Sequence, residues 1–211
     1  MIVAFALFPK FTALDFVGPY QVLAAMPGAE VVLCAETTGA ITDDNGLLHL
    51  DVEHTFADVT APDVVVVPGG PGARDQAQQR GPVVDWVRAR HTTSTWTTSV
   101  CTGALILGAA GLLENTTATT HWCFYDELAT YGALPTEQRV VFADRMATAA
   151  GVSAGIDLAL HLAGNIAGEQ TARAIQLGIE YDPQPPFDSG APSKAGPALR
   201  DFVYAMMTGE R

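Results

Sequence analysis

Residues 94–113 read STWTTSVCTGALILGAAGLL: a β-rich segment over 94–100, one cysteine at 101, and a helix-like segment over 102–113. A side chain at a tight strand-to-helix turn is held away from the core. The helix behind it offers free backbone N–H groups and a positive dipole end, which favour a thiolate. Gly103, with the small residues Thr102 and Ala104, leaves room for neighbouring backbone to crowd the turn. The spacing suits a nucleophile elbow, although the full G-x-S-x-G glycine pattern is missing. On this local pattern alone Cys101 reads equally as a nucleophile or as a small buried hydrophobe.

Working outward, IVAFAL (2–7), AEVVLCA (29–35) and DVVVVP (63–68) join STWTTSV (94–100) as short, continuous apolar runs. Runs of that kind suit strands buried on both faces, as parallel sheets require. Between and after them, DFVGPYQVLAAM (15–26), GPVVDWVRAR (81–90), TGALILGAAGLL (102–113), CFYDELATY (123–131), SAGIDLALHLAGNIAG (153–168) and EQTARAIQLGIEY (169–181) have helical spacing. The alternation predicts an α/β fold on one mostly parallel sheet. TDDNGLLHL (42–50), with Asn45-Gly46 at its centre, predicts a hairpin beside the sheet, and RVVFADRMATAAG (139–151) a second strand pair decorating it. Residues 182–197, DPQPPFDSGAPSKAGP, cannot continue a helix and are expected to form an ordered tail or lid, with Phe187 and two aspartates laid on a surface. The whole of 1–211 is expected to form a single domain.

Composition excludes several classes of function. The chain has 211 residues, 48% of them hydrophobic, and no apolar run long enough for a membrane span. A net charge of −12 with 11 scattered Lys and Arg argues against nucleic acid as a partner. MIVAFALFPK at the start has no basic region or cleavage site and reads as a first strand, so a cytoplasmic location is expected. Three cysteines, Cys34, Cys101 and Cys123, are an odd number and point away from a disulfide framework. Cys34 lies in an apolar strand and Cys123 opens an aromatic helix, and both read as structural. His49, His54, His91 and His161 show no spacing that suggests a metal, and neither HExxH nor CxxC occurs.

Two further positions fall at the same edge of the expected sheet as Cys101. Asp15 follows the first strand and precedes a helical turn containing Gly18 and Pro19, so it reads either as an N-cap or as a carboxyl aimed into a crevice. Pro68-Gly69-Gly70-Pro71-Gly72 follows VVVV (64–67) and reads either as a plain turn or as backbone N–H groups presented to an anion. It is no phosphate loop, lacking the GK[ST] ending.

The segments VCTGALILGAAGLLENTTATTHW (100–122), LDFVGPYQVL (14–23) and VVVVPGGPGA (64–73) resemble the ThiJ/PfpI superfamily of flavodoxin-like proteins, over nearly the whole chain. The run from 154 to 196 further resembles its isonitrile hydratase branch. The resemblance implies a flavodoxin-like three-layer sandwich, hydration of an isonitrile to an N-substituted formamide, no metal or organic cofactor, and a homodimer. Carried over residue by residue, it implies Cys101 as nucleophile, Asp15 as the paired acid, Thr102 as the hydroxyl neighbour and the Gly70 N–H in an anion-stabilising pocket. Phe16, Tyr20 and Trp122 are expected as apolar walls for the substituent R.

One departure narrows the family reading. Peptidase-like and amidotransferase-like members place a histidine beside the nucleophile, whereas here Thr102 follows Cys101 and His121 is the nearest candidate, expected to be structural or pocket-lining. A glyoxalase or deglycase, the alternative enzyme, would ordinarily have Glu where Asp15 stands and a histidine by the thiol. A third reading is a ligand- or redox-sensing module acting through an exposed, low-pKa Cys101.

Overall fold

The computed structural model describes residues 1–209. Strands β1 (Ile2–Ala6), β2 (Glu30–Ala35), β5 (His54–Thr55), β6 (Val64–Val67), β7 (Trp96–Val100), β10 (Val140–Ala143) and β11 (Met146–Ala149) form one sheet. Between them in sequence lie a hairpin of β3 (Gly39–Thr42) and β4 (His49–Val52), and a minor pair of β8 (Thr117–Ala118) and β9 (Leu134–Pro135). The order across the main sheet is β10-β11-β7-β6-β1-β2-β5, parallel except for β10. A single register row runs Leu33, Phe5, Val66, Thr98, Ala147, Phe142. All four valines of β6 are buried, because the helices cover the sheet on both sides.

One helix layer contains α1 (Ala13–Leu23), α6 (Ala154–Ala167) and α7 (Glu169–Gly178). The other contains α2 (Pro71–Gln79), α3 (Pro82–His91), α4 (Gly103–Ala109) and α5 (Tyr125–Thr130). Two short helices close the described chain, α8 (Pro192–Ala195) and α9 (Pro197–Thr208). This is the α/β fold on a mostly parallel sheet that the apolar runs predict, in the flavodoxin-like three-layer arrangement that the resemblance implies. None of the described helices is long and apolar enough to cross a membrane.

The structure departs from expectation in four places. Residues 139–151 are no decoration, since β11 pairs in parallel with β7 and brings β10 in as the sheet's antiparallel edge. The glycine-rich loop after β6 runs straight into α2: Pro71 occupies the first helical turn, where its missing N–H costs nothing, and Gly70 at φ 119° begins it. Helix α8 falls within the segment expected to be a tail, and α9 follows it, with Leu199, Phe202, Val203 and Met206 at helical spacing. Phe187 is 77% exposed and is not laid on the surface of this chain.

Strand order reverses between β1 and β6, and in open parallel sheets the crevice at that reversal is where ligands gather. The segments following β1, β6 and β7 carry Asp15, Gly69-Gly70 and Cys101, so all three arrive at one place.

Candidate active site

Cys101 stands between the last residue of β7 and the start of α4 with φ at 55°, a left-handed conformation uncommon for a residue with a side chain. Such a conformation costs on the order of 1–3 kcal/mol and persists only where its surroundings enforce it. Here they do. The Cys101 N–H donates to the Ala149 and Ala150 carbonyls at 3.0 and 2.9 Å, and the Thr120 hydroxyl donates to the Cys101 carbonyl at 2.8 Å. Gly103 is needed at the start of α4, because a Cβ there would lie 2.8 Å from the Pro68 carbonyl oxygen and closer still to that of Val67.

Asp15 lies within the first turn of α1 rather than at its N-cap, which is Thr12. Fully buried, it accepts a hydrogen bond on Oδ2 from the Gly69 N–H at 2.8 Å, while Oδ1 is buried without a partner. A Cβ at Gly69 would sit 2.6 Å from the Thr102 nitrogen and 2.7 Å from Asp15 Oδ2, so only glycine lets these three segments meet. Next to it, the Gly70 N–H donates to Thr102 Oγ1 at 2.8 Å and the Thr102 hydroxyl donates back to the Gly70 carbonyl at 3.1 Å. The Gly70 N–H expected to face an anion is therefore held by Thr102, and the pair locks the loop after β6 onto the turn after β7.

Burial governs the electrostatics of this cluster. The Asp15 carboxyl is pushed from its ordinary 3.8 to about 7, first by desolvation. The Gly69 N–H and the Cys101 side chain pull it down, and the charge of Asp44 adds to the rise. The Cys101 thiol is held well above its ordinary value by desolvation and then by the charge of Asp15, while backbone groups of Val152 and Thr102 and the Thr102 hydroxyl favour the thiolate. The low-pKa, exposed thiol expected at a helix N-terminus is thus overturned. A helix dipole contributes about 0.3–1 kcal/mol near its end, less than it costs to bury an ion, and α4 has only seven residues. Two acids this close titrate as a pair, and burial favours the state in which they share one proton over the state with two charges.

Cys101 and Thr102 open onto a cavity of about 280 Å³ whose other walls are Thr12, Asp44, Gly70, Pro71, Arg74, Phe124, Val152, Met206 and Met207. Phe16 and Tyr20 do not line it. They stack on each other at 5.4 Å, one helical turn apart on α1, and pack against Phe5. Trp122 faces neighbouring cavities instead and meets Tyr204 of α9 at 6.2 Å. Phe124, Val152 and the two methionines escaped sequence reasoning, because nothing local ties residues so distant along the chain to Cys101.

The other candidates fall into structural places. Cys34 is buried in β2 with its thiol pushed up to about 12, and Cys123 is buried in the 3-10 turn Trp122–Phe124 with its thiol pushed up to about 11, both by desolvation. His121 caps that turn, its Nδ1 accepting from the Cys123 N–H at 3.3 Å, and lines a neighbouring cavity.

A model of the DJ-1/PfpI family matches residues 1–165. The isonitrile hydratase of Pseudomonas putida is 44% identical over 199 residues, covering 94% of this chain and 86% of that protein. A glutathione-independent glyoxalase of Caenorhabditis elegans is 26% identical over 160 residues, covering 75% of this chain and 80% of that protein. The crystal structure of a ThiJ/PfpI family protein from Pseudomonas syringae is similar with a TM-score of 0.94 at 35% identity, covering 99% of this chain and 86% of that one. Coverage of 94% and 99% takes both of those matches through most of the chain beyond residue 165, where the family model stops.

Proposed function

The chain belongs to the DJ-1/PfpI family, and from that premise we propose that it hydrates isonitriles, R–N≡C, to N-substituted formamides at the Cys101–Asp15 pair. The observation that carries this reading is the buried Asp15 carboxyl, with a pKa near 7 and one oxygen unpartnered, beside a buried thiol. A pKa near the working pH is what a group that both gives and takes a proton needs. Similarity to an isonitrile hydratase supplies the substrate class.

In this reading Asp15 takes the thiol proton as the sulfur attacks the terminal carbon of the isonitrile, and passes it to that carbon to leave a thioimidate, R–N=CH–S–Cys101. The Asp15 carboxylate then draws a proton from water as it adds to the same carbon and returns it to nitrogen. Collapse of the adduct breaks the C–S bond, releases R–NH–CHO and restores the thiol. The backbone groups of Val152 and Thr102 that favour the thiolate steady the sulfur while it carries charge. Thr102 and Gly70 act by holding the turn in place.

The buried thiol weighs against redox sensing through an exposed thiolate. The same reading expects a C2 homodimer and, with three unpaired thiols, a reducing cytoplasmic setting. Light scattering at micromolar concentration that returned the 22.2 kDa of one chain would remove the dimer. Incubation with cyclohexyl isonitrile and, separately, with methylglyoxal tests the reaction. Formamide from the first and no turnover of the second is the expected result. Consumption of methylglyoxal without formamide would assign the chain to glyoxalase chemistry.

A further inference from the structure

Helix α9 contributes two side chains, Met206 and Met207, to the cavity that holds Cys101, yet none of its own residues is buried. It is tethered by Gly196 at φ 74° after a proline-rich segment, and it rests on the 3-10 turn through Tyr204 against Trp122. The helix lies beyond residue 165, outside the family model. We propose that Met206 and Met207 are the specificity-determining wall of the site, and that they set the upper size of the uncharged, apolar R group it admits. This inference rests on the hydratase reading for the name of the substrate, but not for the position of the wall.

Size and charge of the cavity both bear on it. At about 280 Å³ it lies just below the usual range of ligand sites, roughly 300 to 1,000 Å³. Phe124, Pro71 and Val152 make the fixed apolar part of its lining. Arg74 brings no free cation, for its guanidinium pairs with Glu127 at 2.9 Å and lies over the Phe124 ring at 4.6 Å. Asp44, which accepts from the Thr12 hydroxyl at 2.6 Å, adds negative charge to the lining and disfavours an anionic R. Methionine is unbranched and polarisable and adapts to differently shaped apolar groups. On a helix with no buried residue, such a wall discriminates by size at its own surface and not through the core.

The test compares the full-length parent with the Met206→Ala/Met207→Ala double variant and with Phe202→Ala, which changes an exposed residue of α9 that lines no cavity described here. Cys101 is alkylated with N-cyclohexylmaleimide and with iodoacetamide, and the ratio of the two rates is read by peptide mass. The double variant is expected to raise that ratio about tenfold, the lower end of what an apolar pocket discriminates. Phe202→Ala is expected to leave it within twofold. A ratio unchanged in the double variant, or moved as far by Phe202→Ala, overturns the proposal. A second arm measures kcat/KM for 1-adamantyl against cyclohexyl isonitrile, where the same variant should shift preference toward the larger substrate by a similar factor. Absence of formamide from every isonitrile would sink the hydratase reading alone, because the alkylation ratio still decides where the wall is.

Discussion

The cluster beneath the Cys101 cavity and the helix facing it across the cavity obey different physics. Asp15, Gly69, Thr102 and Cys101 come from three segments at the carboxyl edge of the sheet, and each is fixed by a partner in another segment. Met206 and Met207 come from one helix with no buried residue, held through half-buried contacts such as Tyr204 on Trp122. The difference teaches where tolerance ends. In the cluster an added methyl group meets backbone atoms that cannot yield, whereas on α9 a changed side chain meets open cavity or solvent.

The largest effects should come from the two acids. Cys101→Ser is expected to abolish formamide production, since an alkoxide is far harder to form than a thiolate and suits a soft carbon poorly. Asp15→Asn keeps an acceptor for the Gly69 N–H and should lower turnover by about 10²–10⁴-fold, the usual range for a positioned acid or base. Should Asp15→Asn retain more than about a tenth of parental turnover while Cys101→Ser is dead, Asp15 is structural only.

Next in size is Gly69→Ala. Its new Cβ would press on the Thr102 nitrogen and on Asp15 Oδ2, and the resulting shift is expected to cost about 10²-fold in turnover, as small misplacements of reacting groups do. Steady-state formamide assays check it, and parental turnover in this variant would show that the cluster is less tightly determined than its packing implies.

Stability against pH sharpens the comparison further. Because burial raises the Asp15 pKa from 3.8 to about 7, the folded state holds a proton there that the unfolded chain has released. Stability from this group is complete below about 3.8, and it is lost as pH rises through about 7. The full loss is on the order of 4 kcal/mol. Asp15→Asn lacks this penalty, so its stability relative to the parent should improve between pH 5 and pH 8 in urea unfolding. A difference independent of pH would mean that the carboxyl does not titrate near 7. The smallest effect is reserved for the tail, where Phe187→Ser, at a side chain 77% exposed, should change stability by no more than about 0.5 kcal/mol.

Much of this was legible in the amino-acid order, for reasons that are local. VVVV at 64–67 suits a strand buried on both faces, Asn45-Gly46 turns a hairpin at Gly46 with φ 75°, and a cysteine between STWTTSV and TGALIL marks a strand-to-helix turn. Such features depend on side-chain period and on φ, which neighbours along the chain decide. The resemblance to a known family singled out Asp15, which local rules alone left open between an N-cap and a carboxyl aimed into the crevice.

Charge state and cavity walls belong to the tertiary structure. The dipole rule for Cys101 favours a thiolate, but desolvation by packing layers contributed from across the whole chain reverses it. Phe16 and Tyr20 have the right character for a wall, yet their place on α1 turns them toward Phe5. Met206 and Met207 line the same cavity as Cys101 only because α9, more than a hundred residues later in the chain, folds back to it. Burial and long-range proximity are sums over segments that meet only in the folded state, so the sequence determined the elements and the reactive turn, and tertiary packing decided the proton's position and the shape of what is admitted to it.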